Sequence, residues 1–108
     1  MAIKVCKFGG TSMADANAIR QVKNIIEADP ARKYVVVSAP GKRDKNDIKI
    51  TDTLYKCFDE VVATGTCHKT FKLIRDRFTE IVKDLNLTLD IESILDETEQ
   101  AIDQNKSA

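Results

Sequence analysis

The tightest constraint on this chain is the run Tyr34-Val35-Val36-Val37, an apolar stretch dominated by β-branched residues with no polar interruption. Such a run fits a parallel strand covered on both faces better than a strand with one wet side, which would alternate in polarity. Parallel neighbours need a crossover, and the residues upstream provide one. Ala18, Ile19, Val22, Ile25 and Ile26 recur at helical spacing, and Ser12 followed by Asp15 resembles a capping box at the helix start. The helix is expected to stop near Asp29-Pro30, because the residue before a proline is pushed out of helical backbone angles. Ahead of it, residues 2 to 8 carry Ile3, Val5, Cys6 and Phe8 and read as a short strand ending at Gly9-Gly10. Strand, helix and strand make a βαβ unit whose crossover should be right-handed.

Beyond Ala39-Pro40-Gly41 lies a basic loop, Lys42 to Asp47, and after it no further strand is expected. Three helices fill the remainder. The first starts near Thr51, shows Leu54, Phe58, Val61 and Val62 on one side and stops at Gly65. Phe71, Ile74, Phe78, Ile81, Val82 and Leu85 mark the second, which ends around Asn86. The third starts near Asp90 and carries Ile91, Ile94, Leu95, Thr98, Ala101 and Ile102. Each stripe is a single band and reads as a packing surface. Residues 103 to 108 are polar and look like a helix running into a loop. Two parallel strands leave two open sheet edges, while apolar parallel strands belong to larger covered sheets. The chain is therefore expected to be incomplete, with further strands beyond it.

Length and charge narrow the function. A chain of 108 residues makes one domain at most, burying roughly two-thirds of its unfolded surface. Seventeen Lys and Arg balance seventeen Asp and Glu, so no overall charge favours nucleic acid or an anionic membrane. No apolar run approaches the ~18 residues of a membrane helix, and Met1-Ala2-Ile3-Lys4 does not open a signal peptide. The chain reads as cytoplasmic. Cys6, Cys57 and Cys67 follow neither a redox nor a zinc spacing and read as reduced thiols, and His68, the only histidine, has no orienting partner in the sequence and reads as solvated.

The residues that carry chemistry sit where strands end. Lys7-Phe8-Gly9-Gly10-Thr11-Ser12 lies between the first strand and the first helix, a junction suited to phosphate. Glycines admit close approach, successive amides point at oxygens, the helix start adds partial positive charge, and Lys7 supplies a full one. The Walker spacing is not present, and a tight connection explains the glycines equally well. A second loop, Ser38-Ala39-Pro40-Gly41, follows the neighbouring strand, so both glycine loops should face one crevice beyond the carboxyl ends of the strands. Lys42, Arg43, Lys45 and Lys49 add four cations, offset by Asp44 and Asp47; this loop reads either as an anion attractor or as a solvated, mobile segment. Thr51-Asp52 fits a helix cap, or a hydroxyl and amide offered to a small carboxylate.

In their order, Lys7 to Ser12, Val35 to Gly41 and Ile50-Thr51-Asp52-Thr53-Leu54 resemble the aspartate kinases, and the helices after Leu54 look like the helical insertion of the longer, lysine-pathway type. The resemblance implies the amino-acid kinase fold, a three-layer αβα sandwich of which this α/β chain is the N-terminal part. Residues 1–50 would be the βαβ phosphate-binding portion and 51–108 the helical insertion, with the rest of the kinase domain and the regulatory ACT domains following Ala108. It also implies ATP and magnesium as cofactors and phosphorylation of the β-carboxylate of L-aspartate without a covalent enzyme intermediate. Lys7 would steady the transferring phosphoryl group, Gly9, Gly10 and Gly41 would donate amides to it, Phe8, Thr11 and Ser12 complete that loop, and Ser38 and Thr51 would lie by aspartate. No protein metal ligand is identified. The expected partners are ATP and L-aspartate, with a homo-oligomeric enzyme and strand-mediated self-association of this piece, which alone should not turn over. Two other readings stand beside this one: a glutamate or acetylglutamate kinase of the same superfamily, from which Ser12 and Ile50-Thr51-Asp52 distinguish it, and a non-catalytic helical interaction module.

Overall fold

The computed structural model describes residues 2–105, which form two compact units divided between Lys49 and Ile50. The first unit opens with strand β1, Lys4–Phe8, followed by a 3-10 turn over Gly10–Met13, helix α1 over Ala16–Glu27 and strand β2 over Arg32–Val37. The two strands pair in parallel, Val5 opposite Tyr34 and Phe8 opposite Val37, with an irregularity between Lys4 and Val5. The expected βαβ order is present. Asp15, not Ser12, caps α1: its carboxylate accepts from the Ala18 amide at 2.9 Å. Ser12 instead belongs to the 3-10 turn, its amide donating to the Gly9 carbonyl at 3.1 Å. The capping-box pattern therefore marked the right place with the wrong residue, because a short turn separates the glycines from the helix. At the far end Asp29 holds the turn into β2, accepting from the Ala31 amide at 2.9 Å and from Lys4 Nζ at 2.6 Å.

The strand run departs from expectation in its burial. Tyr34, Val35, Val36 and Val37 are 61, 39, 53 and 51 % exposed, and Val5 is 71 % exposed. A strand covered on both faces needs layers on both sides, and this unit contains one long helix for two strands. Its small core instead gathers Ala14, Ala16, Val22 and Ala31.

The second unit is helical: α2 over Ile50–Thr64, α3 over His68–Asp84 and α4 over Ile91–Gln104, with α3 packed against both neighbours. Gly65 ends α2 at φ 89 and Asn86 follows α3 at φ 55, left-handed angles that close helices. Asp90 caps α4 through the Ser93 amide at 3.2 Å. Residues 106–108, the tail expected to run into a loop, lie outside the described residues. The stripes on α3 and α4 are partly as expected, with Phe71, Ile74, Ile81 and Leu95 buried. On α2 Val61 is buried as expected, but the rest of the buried line runs through Ile50, Thr53 and Cys57, while Leu54, Tyr55 and Val62 face outward. Both lines have helical spacing, and they share Val61.

Candidate functional site

The first unit brings its two glycine loops into contact. Phe8 ends β1 and its carbonyl accepts from the Ser38 amide at 3.0 Å, which carries the pairing one residue beyond β2. Farther along, the Gly41 amide donates to the Gly10 carbonyl at 2.8 Å. At position 41 glycine is required by space alone, since a Cβ there would lie 2.7 Å from the Gly10 carbonyl carbon, whereas one on Gly10 would be tight, at 3.2 Å from Gly41 Cα. A Cβ on Gly9 would meet nothing within 4 Å.

The loop between β1 and α1 presents free donors. Among the described residues the amides of Gly9, Gly10 and Thr11 make no hydrogen bond, and the three follow one another along the chain. Gly10 and Thr11 open the 3-10 turn, so their amides lie at its N-terminal end and carry partial positive charge there, while Gly9 precedes them in extended backbone (φ −77, ψ −179). Lys7 sits on β1 two residues before the first glycine, is exposed, and has no ion pair among the described residues. Its strand alternation sets it on the opposite face from Phe8.

The basic loop is more ordered than its composition implied. Arg43 grips Asp47 in a bidentate pair, Nε to Oδ2 at 2.6 Å and Nη2 to Oδ1 at 3.0 Å, and the Arg43 amide reaches the same carboxylate at 2.9 Å. Asn46 N–H donates to Asp44 Oδ1 at 2.8 Å. The guanidinium charge is thus used inside the loop, which leaves Lys42 and Lys45 as its exposed cations without a salt bridge among the described residues.

Ser38 stands at the end of β2, in the first unit. Thr51, the other residue expected beside a small carboxylate, belongs to the second unit and lies with Asp52 in the first turn of α2. It is exposed and borders an open apolar hollow of about 460 Å³ together with Leu54, Tyr55 and Phe58. The second unit places its charged groups in helix-to-helix ties. Arg75 reaches Glu92 at 2.7 Å, Asp96 at 2.8 Å and Glu99 at 3.4 Å, and His68 Nδ1 lies 3.2 Å from Glu99. His68 remains largely exposed, as its sequence context suggested. No group of three or more His, Cys, Asp or Glu able to hold a metal ion exists among the described residues. No helix there is long and apolar enough to cross a membrane.

Comparison with known proteins gives this geometry a context. The chain is 40 % identical over 106 residues to aspartokinase 3 of Bacillus subtilis, a match that covers 97 % of the chain and 23 % of that protein. The crystal structure of Clostridium acetobutylicum aspartate kinase superposes with a TM-score of 0.91 at 46 % identity, over 99 % of this chain and 25 % of that one. Escherichia coli aspartokinase III, solved with aspartate and ADP, matches with a TM-score of 0.64 at 26 % identity, over 97 % of this chain and 23 % of the other. No family model matches the chain. The mixed α/β fold, a two-stranded parallel sheet with helices, matches the corresponding stretch of these kinases. The chain belongs to the aspartate kinase family, and it spans about a quarter of the length of the relatives it matches.

Proposed function

We propose that this chain supplies the phosphoryl-gripping part of an aspartate kinase, an enzyme that transfers the γ-phosphate of ATP to the β-carboxylate of L-aspartate. The observation that carries the reading is the contact between the two glycine loops, beside three consecutive free amides and an unpaired Lys7. The aspartate carboxylate is already a nucleophile, so no base has to remove a proton. Its oxygen attacks the γ-phosphorus, the bond to the β,γ-bridging oxygen breaks, and ADP leaves with that electron pair. What remains for the protein is alignment and neutralisation of two anions. Lys7 places its ammonium against the transferring group, and the Gly9, Gly10 and Thr11 amides hold its oxygens. Ser38 and Thr51 act at the aspartate side. Magnesium travels with the nucleotide in this reading; the described residues include no group of three or more His, Cys, Asp or Glu for it, and no step is assigned to the metal. A homo-oligomeric enzyme acting in the cytoplasm fits the same reading.

The test is a titration of the 108-residue chain with ATP and magnesium, followed by amide NMR. Shifts gathered at Gly9, Gly10 and Thr11, and lost in Lys7→Met, are expected. Shifts confined to α2–α4, seen only on adding protein partners, would reject the kinase reading in favour of a helical interaction module. Trapping with hydroxylamine should detect no aspartyl phosphate from this chain alone. In the enzyme carrying this sequence, glutamate phosphorylation without aspartate phosphorylation would reject the choice of substrate.

A further inference from the structure

We infer that Gly41 is a positioning residue rather than a phosphate donor: it locks the first glycine loop so that the Thr11 amide faces outward to the anion. This rests on the phosphate reading above and gives it a mechanism. A glycine beside a phosphate crevice is ordinarily credited with donating its own amide, but the amide of Gly41 donates at 2.8 Å to the Gly10 carbonyl. The consequence passes through the next peptide bond. No peptide bond in the described chain is cis, and in a planar trans peptide the carbonyl of one residue and the N–H of the next point in opposite directions. Fixing the Gly10 carbonyl on Gly41 therefore turns the Thr11 N–H away from the second loop. That amide is one of the three left unpaired.

The steric fit makes the lock selective. Gly41 has no left-handed backbone angle, since Gly65 is the positive-φ glycine among the described residues. Its requirement is room: a Cβ at position 41 would meet the Gly10 carbonyl carbon, oxygen and Cα at 2.7, 3.0 and 3.1 Å. All three are backbone atoms with no rotamer to yield. Substitution must push the loops apart, which breaks the hydrogen bond and leaves the Gly10–Thr11 peptide oriented by the short 3-10 turn alone. Gly10 has a looser version of the same constraint, with Gly41 Cα, Gly41 N and the Ala39 carbonyl between 3.2 and 3.3 Å from its Cβ position. Gly9 has none.

Two measurements on the 108-residue chain decide the matter, with inorganic tripolyphosphate as the probe. In hydrogen exchange the Gly41 amide is expected to exchange on the order of tenfold or more slowly than the Gly10 and Thr11 amides. On titration the Gly10 and Thr11 amide resonances should move while Gly41 moves little. Gly41→Ala should weaken the tripolyphosphate response on the order of tenfold or more, and Gly9→Ala should keep the Gly41 amide protected. Fast exchange at Gly41 in the unsubstituted chain, which needs no variant to fold, overturns the lock. So does a Gly41 resonance that moves in step with Gly10 and Thr11, which would make it a donor while leaving the phosphate reading intact. Protection at Gly41 with no tripolyphosphate response in either loop overturns the phosphate reading and reduces the contact to a structural one.

Discussion

Three thiols of one type sit in different surroundings. Cys6 is partly exposed on β1, whereas Cys57 and Cys67 have no exposed surface. Burial pushes both buried thiols up, and at Cys67 the nearby Asp103 carboxylate, which also accepts the Cys67 amide at 2.9 Å, adds to the effect. A thiol reacts as its thiolate, so these two should be inert in the folded chain. With a thiol-exchange reagent at pH 8 one equivalent is expected to react in the native state, at Cys6, and the other two only on unfolding. Reaction of all three at equal rates would contradict the burial. At Gly41 the overlap argues for a stability cost as well. Gly41→Ala is expected to destabilise the first unit by about 1–3 kcal/mol, the range for inserting a methyl into a filled space, read from a denaturant midpoint.

The helices show what a linear reading captures and what it misses. Helix α3 starts at His68 after Cys67, whose side chain does not cap it. Its first amides are satisfied from another helix: Glu60 on α2 accepts from the Lys69 and Thr70 amides at 3.1 and 3.4 Å and from the Thr70 hydroxyl at 2.7 Å. A carboxylate at a helix N-terminus also meets the positive end of the dipole. The Thr70 hydroxyl, and then the two amides, hold the Glu60 carboxyl below its ordinary value. A depressed folded-state value means stability that is full above the unfolded value, 4.5, and lost as pH falls through the lower folded value. Glu60→Gln is therefore expected to lower the thermal midpoint at pH 7, with the deficit shrinking as both proteins are taken below pH 4.5. A deficit independent of pH would assign Glu60 a packing role only. This clamp spans nine and ten residues of sequence, beyond any local pattern, and so it could not be read from spacing. The left-handed closures at Gly65 and Asn86 were legible, because those residue types tolerate the angle. The inner line of α2 was not: Thr53 and Cys57 look less apolar than Leu54 and Val62, and α3 and α4 decide which face turns inward. Phe71, fully buried on α3, was legible, and Phe71→Ala should cost about 3–5 kcal/mol, measured by denaturation.

At the scale of the whole chain, the glycine loops were legible because they interrupt strands at a place where parallel topology forces both turns to the same end. The exposure of the sheet was not, since a β-branched run reports what a strand is suited to contact and not what is there to contact it. Tyr34 and Val36 lie on one face of β2 and Val35 and Val37 on the other, and all four are exposed. The two-stranded sheet of the first unit also has two edges with unpaired backbone groups. The Val35–Val37 stretch of the β2 edge carries neither a proline nor a bulge to discourage pairing. A second copy of the chain can satisfy both needs at once, adding backbone hydrogen bonds at an edge and removing valine surface from water at roughly 25 cal/mol per Å². Self-association that rises with concentration is therefore expected in light scattering. Val36→Lys should suppress it, because a charge on an edge strand is poorly accommodated when another strand packs beside it. Added salt should not suppress it in the unsubstituted chain, since burial of apolar surface, unlike pairing of exposed charges, is not screened. A strictly monomeric, folded chain at high concentration would instead show that these edges are closed to a second copy.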